Sequence, residues 1–173
     1  MWPFGKTKQN ETETVKAEIR APLSGRIMAL DQVPDPVFAN QLLGPGLAIY
    51  PTSGEILAPF DGEVTALFPT GHAIGLKSKA GVECLIHCGI DTVELKGKGF
   101  KVMVSQGDKV KLGSVLIKAD LKLIASNGKN LATPIVITNS DQWSLELARK
   151  DGEVVAGEDV LFLAFPVQAK AKA

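Results

Sequence analysis

The chain contains two histidines, His72 and His87, and both lie in settings that suit chemistry at neutral pH. Imidazole is the side chain best suited to accept and release a group in that range. His87 closes an apolar run that starts at Val82, and Gly89 and Asp91 follow it closely. A glycine lets a phosphate approach the backbone, whose N–H groups could bind its oxygens. A satisfied structural histidine remains the alternative for a residue of this kind.

Alternation along the apolar run predicts which way His87 points. Successive side chains of a strand face opposite sides of the sheet. Cys84, Ile86 and Cys88 are small or apolar and should face the core, which places Leu85 and His87 on the outer face.

His72 follows Thr70 and Gly71, and the Thr70 hydroxyl is placed to orient its ring. A hairpin that turns within residues 78–81 would bring His72 and His87 together across two strands. Two facing imidazoles serve either zinc binding or phosphoryl transfer, and zinc requires further ligands. In phosphoryl transfer, one neutral imidazole attacks while the other stabilises the developing charge.

Composition predicts one globular domain in the reducing cytoplasm. The chain has 173 residues, of which 45% are hydrophobic, and both its cysteines lie in one apolar region. Lys plus Arg and Asp plus Glu number 19 each, so no basic field for nucleic acid is expected. We expect a flexible segment over residues 1–17, a domain over 18–167 and a flexible tail over 168–173.

Short apolar runs cut by 17 glycines and 10 prolines indicate an all-β fold. We predict one or two short helical turns, at residues 36–43 and 121–126. Two motifs recur: Ala-Pro-x-x-Gly at 21–25 and 58–62, and Gly-containing turns at 107–113 and 152–157. They indicate a duplicated β-unit, with chance similarity among turns as the alternative.

Several of these segments together resemble the glucose-family enzyme IIA proteins of the phosphoenolpyruvate-dependent sugar phosphotransferase system. The string from His87 to Gly97 is the most specific, and the match runs in register from about residue 18 to about 165. The other matching segments are 21–25, 33–39, 58–62, 70–73, 99–100 and 133–136.

The resemblance implies an antiparallel β-sandwich or flattened barrel with a duplicated, barrel-sandwich hybrid motif. It implies a phosphotransferase component in which His87 becomes phosphorylated at Nε2, His72 helps to pass the group on, and Thr70 orients His72. The donor would be the phosphocarrier protein HPr. The acceptor would be a cysteine of an enzyme IIB domain attached to a IIC sugar permease.

An apolar face around the histidines would serve these partners, since exposed apolar residues around a site indicate a partner. An acidic rim of Asp35 and Asp91 would match basic residues of a phosphocarrier. The predicted apolar ring consists of Val37, Phe38, Leu42, Leu43, Phe68 and Leu85.

Other functions stay open at this stage. A LytM-like zinc endopeptidase shares a related architecture but needs more ligands than His72 and His87. A non-catalytic regulatory module would bind permeases or kinases when unphosphorylated. We expect no required cofactor, with zinc held by His72 and His87 only when a partner supplies a carboxylate. The aromatic and lysine residues within 2–8 predict weak contact of a cytoplasmic protein with the inner face of the membrane.

Overall fold

A computed structural model describes residues 16–167 of the chain as an antiparallel β-structure. Within these residues, strand pairing starts at Ala17, which pairs with Ala164. The membrane-contacting segment predicted at 2–8 lies outside the described residues. The strands are β1 (Ala17–Arg20), β2 (Gly25–Met28), β3 (Gly46–Pro51), β4 (Glu55–Leu57), β5 (Gly62–Leu67), β6 (Ala73–Ser78), β7 (Glu83–His87), β8 (Phe100–Val102), β9 (Lys109–Val110), β10 (Val115–Ala119), β11 (Thr133–Ile137), β12 (Trp143–Leu147), β13 (Glu153–Val154) and β14 (Val160–Pro166).

The strands form three antiparallel sheets around a common core. The largest has the order β13-β2-β3-β11-β7-β6-β5-β9, and two three-stranded sheets have the orders β1-β14-β12 and β4-β10-β8. Within residues 16–167 the end strands β13 and β9 do not pair with each other, so the large sheet stays open. The sandwich prediction is confirmed, whereas the structure is not a closed barrel.

The predicted duplication is visible in the order of the large sheet. From the centre outwards, β11, β3, β2 and β13 on one side correspond to β7, β6, β5 and β9 on the other. The two halves are thus related by an approximate two-fold axis. Reciprocal hydrogen bonds join the two copies of the first repeated motif: the Arg20 N–H donates to the Pro59 carbonyl at 3.0 Å, and the Leu57 N–H donates to the Pro22 carbonyl at 2.7 Å.

The motif glycines occupy equivalent positions as the first residues of β2 and β5. A Cβ on Gly25 would lie 2.1 Å from the Tyr50 carbonyl oxygen, and one on Gly62 would lie 2.1 Å from that of Lys77. Both positions therefore exclude any side chain because the neighbouring strand passes too close. This shared steric demand explains why both copies of the motif end in glycine.

Within residues 16–167 helix is confined to short turns, as predicted, but the first is shorter than expected. The first, α1 (Pro36–Ala39), starts where Asp35 accepts a hydrogen bond from the Val37 N–H at 2.9 Å. This side-chain cap followed by proline is a common way to begin a helix. The helix does not continue to 43, since Gln41 adopts a φ of +55°. The second, α2 (Leu121–Ser126), matches its prediction.

Two buried clusters support the fold, and Phe38 of the smaller one contacts the His87 ring. The larger fills the space between the sheets and includes Cys84, Ile86 and Cys88, as the alternation predicted. The smaller cluster is packed against by Met28 and Leu85. Its buried members are Leu30, Val33, Phe38, Ala48, Ile90, Ala132 and Val136.

The hairpin of β6 and β7 places the two histidines. Ala73 pairs with His87, and the Cys88 N–H donates to the His72 carbonyl at 2.7 Å. His72 thus immediately precedes one strand and His87 ends the next, at the same edge of the hairpin. The turn at the other end, where Gly81 N–H donates to the Ser78 carbonyl, lies where the sequence predicted it.

Candidate functional site

The two imidazoles contact each other, as the hairpin prediction required. Their ring centroids are 5.0 Å apart and their planes meet at 77°, an edge-to-face arrangement. His72 is buried, with only 5% of its surface exposed, whereas His87 is half-buried. One imidazole is therefore accessible at the edge of the hairpin while the other supports it from within.

His87 has a fixed tautomer because its Nδ1 atom lies 2.7 Å from the Gly89 carbonyl oxygen. A carbonyl oxygen can only accept, so Nδ1 carries the proton and donates it. The lone pair of the neutral ring is then on Nε2. Gly89 adopts a φ of +75° and Asp91 a φ of +57°, which turns the chain back sharply after β7.

The loop that carries the Gly89 carbonyl is itself fixed. The buried Thr92 hydroxyl donates to the Cys88 carbonyl at 2.6 Å, and the Ile90 N–H donates to the Asn130 carbonyl at 2.9 Å. The acceptor that sets the His87 tautomer is thus part of a hydrogen-bonded turn and not a free chain end.

His72 is oriented by Thr70, whose hydroxyl oxygen hydrogen-bonds to the His72 Nδ1 atom. Gly71 between them adopts a φ of +71°, and a Cβ there would lie 2.8 Å from Cγ2 of Val102. The turn from Phe68 to Ala73 therefore requires glycine at its centre. Because this hydrogen bond uses Nδ1, it leaves the His72 Nε2 atom available to interact with a group bound at His87.

Both imidazoles are held in the neutral form at pH 7. Burial, together with the nearby His87 ring, lowers the pKa of His72 to about 4. Burial also lowers the pKa of His87, opposed by its hydrogen bond to Gly89 and by the Asp35 and Asp91 carboxylates. A neutral imidazole retains the lone pair that a nucleophile needs. The buried thiols offer no competing nucleophile, since burial raises the pKa of Cys84 and Cys88 to about 12.

The predicted apolar ring divides into exposed and buried members. Leu42 is the most exposed at 70%, and Val37, Leu43 and Phe68 are also exposed. Leu85 is half-buried and packs against the smaller core cluster. Phe38 departs from the prediction of a docking residue, because it is only 4% exposed and belongs to that cluster.

The two carboxylates of the predicted acidic rim lie near His87. Asp91 is exposed and Asp35 is half-exposed. Each carboxylate raises the pKa of His87, so both are close enough to act on it electrostatically. Asp35 has a second role that the prediction missed, since it caps α1. The Asp-Pro pair at 35 and 36 was the sequence signal that could have indicated the cap.

In the part of the chain that the structure describes, the two imidazoles have no further side chains beside them that would complete a metal site. Within residues 16–167 no group of three or more His, Cys, Asp and Glu side chains has the geometry to hold a metal ion. The pair alone falls short of the three protein ligands typical of a catalytic zinc. The endopeptidase alternative thus receives no support from the described part of the chain.

Sequence reasoning missed two features of the site. The Gly89 carbonyl, which sets the tautomer, has no signal in residue type beyond the glycine itself. The ring contact between Phe38 and His87, at a centroid distance of 5.0 Å, joins residues far apart in the chain.

A neutral, oriented imidazole pair at the edge of an all-β sandwich suits a protein that carries a chemical group on histidine. Residues 17–143 match the family model of the phosphoenolpyruvate-dependent sugar phosphotransferase system, EIIA 1. The chain belongs to this EIIA family. Its members are phosphotransferase components that relay a phosphoryl group through a histidine during sugar uptake, between HPr and the EIIB/IIC components.

Similar proteins cover nearly the whole chain. The PTS system glucose-specific EIIA component of Staphylococcus epidermidis is 48% identical over 155 residues, covering 90% of this chain and 92% of the relative. That of Haemophilus influenzae is 46% identical, covering 87% and 90%. The solved structure of glucose permease IIA from Mycoplasma capricolum matches with a TM-score of 0.80 and 39% identity, over 94% of this chain and 99% of that one.

Proposed function

We propose that His87 is the phosphoryl acceptor and that its Nε2 atom is the nucleophile. The observation that carries this assignment is the 2.7 Å hydrogen bond from Nδ1 to the Gly89 carbonyl, which leaves the lone pair on Nε2. The Nε2 lone pair forms a bond to the phosphorus of phospho-HPr. The bond from phosphorus to the donor atom breaks, and its electron pair leaves with HPr.

His72 stabilises the transferring group. Its ring contacts His87 and is neutral at pH 7. With Nδ1 hydrogen-bonded to Thr70, the N–H group at Nε2 would donate a hydrogen bond to a phosphoryl oxygen without adding a charge to the site. The Thr70 hydroxyl holds this ring in place. In the second half-reaction, a cysteine of enzyme IIB attacks the phosphorus, and the bond to His87 Nε2 breaks.

Glucose is the sugar we propose for the pathway, because the relatives from Staphylococcus epidermidis and Haemophilus influenzae are glucose-specific EIIA components. The site itself binds no sugar in this proposal. The IIC permease, to which the relay delivers its phosphoryl group through enzyme IIB, would select the sugar.

The primary test is phosphorylation with phosphoenolpyruvate, enzyme I and HPr, followed by mass spectrometry and acid treatment. We expect one acid-labile phosphate on the wild-type protein and none on His87→Gln. The variant should remain folded because His87 lies at the edge of the hairpin and not inside either core cluster. Phosphate uptake by folded His87→Gln would overturn the assignment.

The exposed apolar residues around His87 would form the docking surface for both partners. Val37, Leu42, Leu43 and Phe68 would supply the contact area, and Asp35 and Asp91 would steer basic residues of HPr. Phosphorylation adds negative charge at the centre of this surface. The same surface could then bind permeases or kinases only in the unphosphorylated form, which competition with HPr would reveal.

Zinc binding is proposed only for a complex. His72 and His87 supply two nitrogen ligands, and a carboxylate from a partner could extend the set toward a tetrahedral site. We expect weak zinc binding by the protein alone and tighter association with such a partner. Tight binding by the isolated protein in calorimetry would contradict this.

Membrane contact is proposed for residues 2–8, where Trp2 and Phe4 stand beside Lys6 and Lys8. No helix in the described part of the chain is long and apolar enough to span a bilayer. The protein would work in the cytoplasm with peripheral contact at the inner membrane face. Deleting residues 2–8 should reduce co-sedimentation with anionic vesicles; unchanged co-sedimentation would refute the contact.

A further inference from the structure

Four aromatic rings lie in a row through the site, with the two imidazoles at its centre. Phe38 packs on His87 at a centroid distance of 5.0 Å, His87 packs on His72 at 5.0 Å, and His72 packs on Phe68 at 5.5 Å. The interplanar angles are 56°, 77° and 59°, all tilted or edge-to-face. Rings in such arrangements attract one another through their edges and faces, so each restrains the next.

The two ends of this row differ in how firmly they are held. Phe38 is 4% exposed and is packed into the smaller core cluster, on a helix that Asp35 caps. Phe68 is 41% exposed and lies where β5 ends and the turn to His72 begins. Phe68 therefore has exposed surface with which to contact a partner, whereas Phe38 has almost none.

The buried end of the row acts on the ring that reacts. His87 has one hydrogen bond that sets its tautomer, from Nδ1 to Gly89, and this bond alone permits the ring to tilt about its axis. Phe38 and His72 both pack against the His87 ring and so restrict that tilt. Small changes in the placement of reacting atoms cost large factors in rate, on the order of 100-fold for 1 Å.

We propose that Phe38 is a positioning residue for phosphoryl transfer: its buried ring holds the His87 imidazole so that Nδ1 stays on Gly89 and Nε2 stays aimed outward. The proposal rests on the proposed role of His87 as acceptor. It assigns to Phe38 a function distinct from docking, because a ring in the core contributes to the chemical step and not to the contact with HPr.

A rate measured at saturating phospho-HPr separates these roles. Removing a docking residue raises KM and leaves the saturated rate unchanged, whereas misplacing the nucleophile lowers the saturated rate. Phe38→Leu removes the ring and keeps an apolar side chain. Phe38→Tyr keeps the ring and serves as the conservative rescue. Leu30→Ala is the matched control, since it removes buried volume from the same cluster and leaves all four rings present.

The experiment uses the full chain, with rapid-quench phosphorylation by phospho-HPr and nitrogen NMR of the imidazoles. For Phe38→Leu we expect a saturated rate lower by about 10-fold to 100-fold and a mixed tautomer signal at His87. Phe38→Tyr and Leu30→Ala should keep a single Nδ1-protonated tautomer and a saturated rate within about 3-fold of wild type. The amide spectrum of each variant establishes that it is folded.

The outcomes distinguish this inference from the function beneath it. If wild-type protein carries its phosphate elsewhere than His87, the proposed function fails. If His87 is phosphorylated but folded Phe38→Leu changes only KM, Phe38 is a docking residue and the inference is overturned. An equal loss of rate in Leu30→Ala would also overturn it, because general loosening of the cluster would then account for the effect. If Phe38→Leu does not fold, Phe38→Tyr provides the test, because this variant keeps the ring. Loss of the single His87 tautomer or of the saturated rate in folded Phe38→Tyr would refute the role proposed for the ring.

Discussion

The Nδ1 atom of His87 donates to the Gly89 carbonyl oxygen at 2.7 Å, two residues further along the same chain. The bond requires the chain to reverse at once after β7, and Gly89 makes this possible with a φ of +75°. A single backbone group thereby decides which nitrogen of the imidazole holds the lone pair.

Replacing Gly89 should disable the site through its backbone. In Gly89→Ala the new Cβ would lie 2.6 Å from Cγ2 of Thr92 and 3.0 Å from the Asn130 carbonyl oxygen, in addition to the strain of a positive φ. We expect the carbonyl to move and phosphate uptake to fall by about 10-fold or more. Initial rates with phospho-HPr measure the loss.

A matched control exists for this substitution. Gly128 has a φ of +77°, and a Cβ there would have no atom within 4 Å. Gly128→Ala carries a similar backbone strain, of about 1–2 kcal/mol, without the clash at the site. Phosphate uptake by Gly128→Ala should equal that of wild type. If both alanine variants lose uptake equally, the Gly89 carbonyl is not the cause.

His72→Gln should separate the two half-reactions. The proposed nucleophile His87 remains, so the variant should accept phosphate from phospho-HPr. Transfer to the enzyme IIB cysteine should fall by about 10²-fold to 10³-fold, as expected when a donor to the transition state is lost. Single-turnover assays of each half-reaction give the two rates. Thr70→Val removes the hydroxyl group that hydrogen-bonds to the His72 ring, and it should show a smaller loss of transfer in the same direction. Equal losses in both half-reactions would exclude an asymmetric pair.

Stability should depend on pH through His72. Its pKa is lowered from 6.5 to about 4 in the folded protein, so the unfolded chain binds more protons between these values. The free energy of unfolding should therefore be greatest above pH 6.5 and decline as the pH falls toward 4. The part due to His72 is on the order of 1–3 kcal/mol.

Urea unfolding at pH 4.5 and 7.5 measures this dependence, with His72→Gln as the comparison. Carboxylates titrate in both proteins, so the difference between them isolates the imidazole. The variant should lose less stability on acidification than the wild type does. An identical loss would show that burial does not depress the pKa of His72.

Asp35 allows its charge to be tested apart from its cap. Asparagine caps helices as well as aspartate does, so Asp35→Asn should keep α1 while removing the charge near His87. We expect the pKa of His87 to fall further and association with HPr to slow, most clearly at low salt. Asp35→Ala should show these effects and also lose about 1 kcal/mol of stability. Histidine NMR titration and stopped-flow association at two salt concentrations test both. An unchanged pKa in Asp35→Asn would contradict the proximity of the carboxylate.

Local patterns in the sequence determined which strand faces are buried, where the β-unit is repeated and which hairpin carries the histidines. Strand alternation around His87 assigned Cys84 and Ile86 to the core, and the repeated Ala-Pro-x-x-Gly motif indicated the duplication. The hairpin turn at 78–81 paired the histidines. These features could be predicted because period-two burial and tight turns depend on residues close together in the chain.

The tertiary structure alone decided how the site is built around the imidazoles. Whether Phe38 or Leu42 faces solvent depends on where α1 ends and on the cluster formed with Ala132 and Val136, distant in the chain. The Phe38 ring reaches His87 only because that cluster holds both elements together. Such contacts depend on long-range packing and on backbone carbonyls, which residue type does not reveal. The sequence thus predicted the histidine pair, while the fold determined the tautomer of His87, the neutrality of both imidazoles and the rings that contact them.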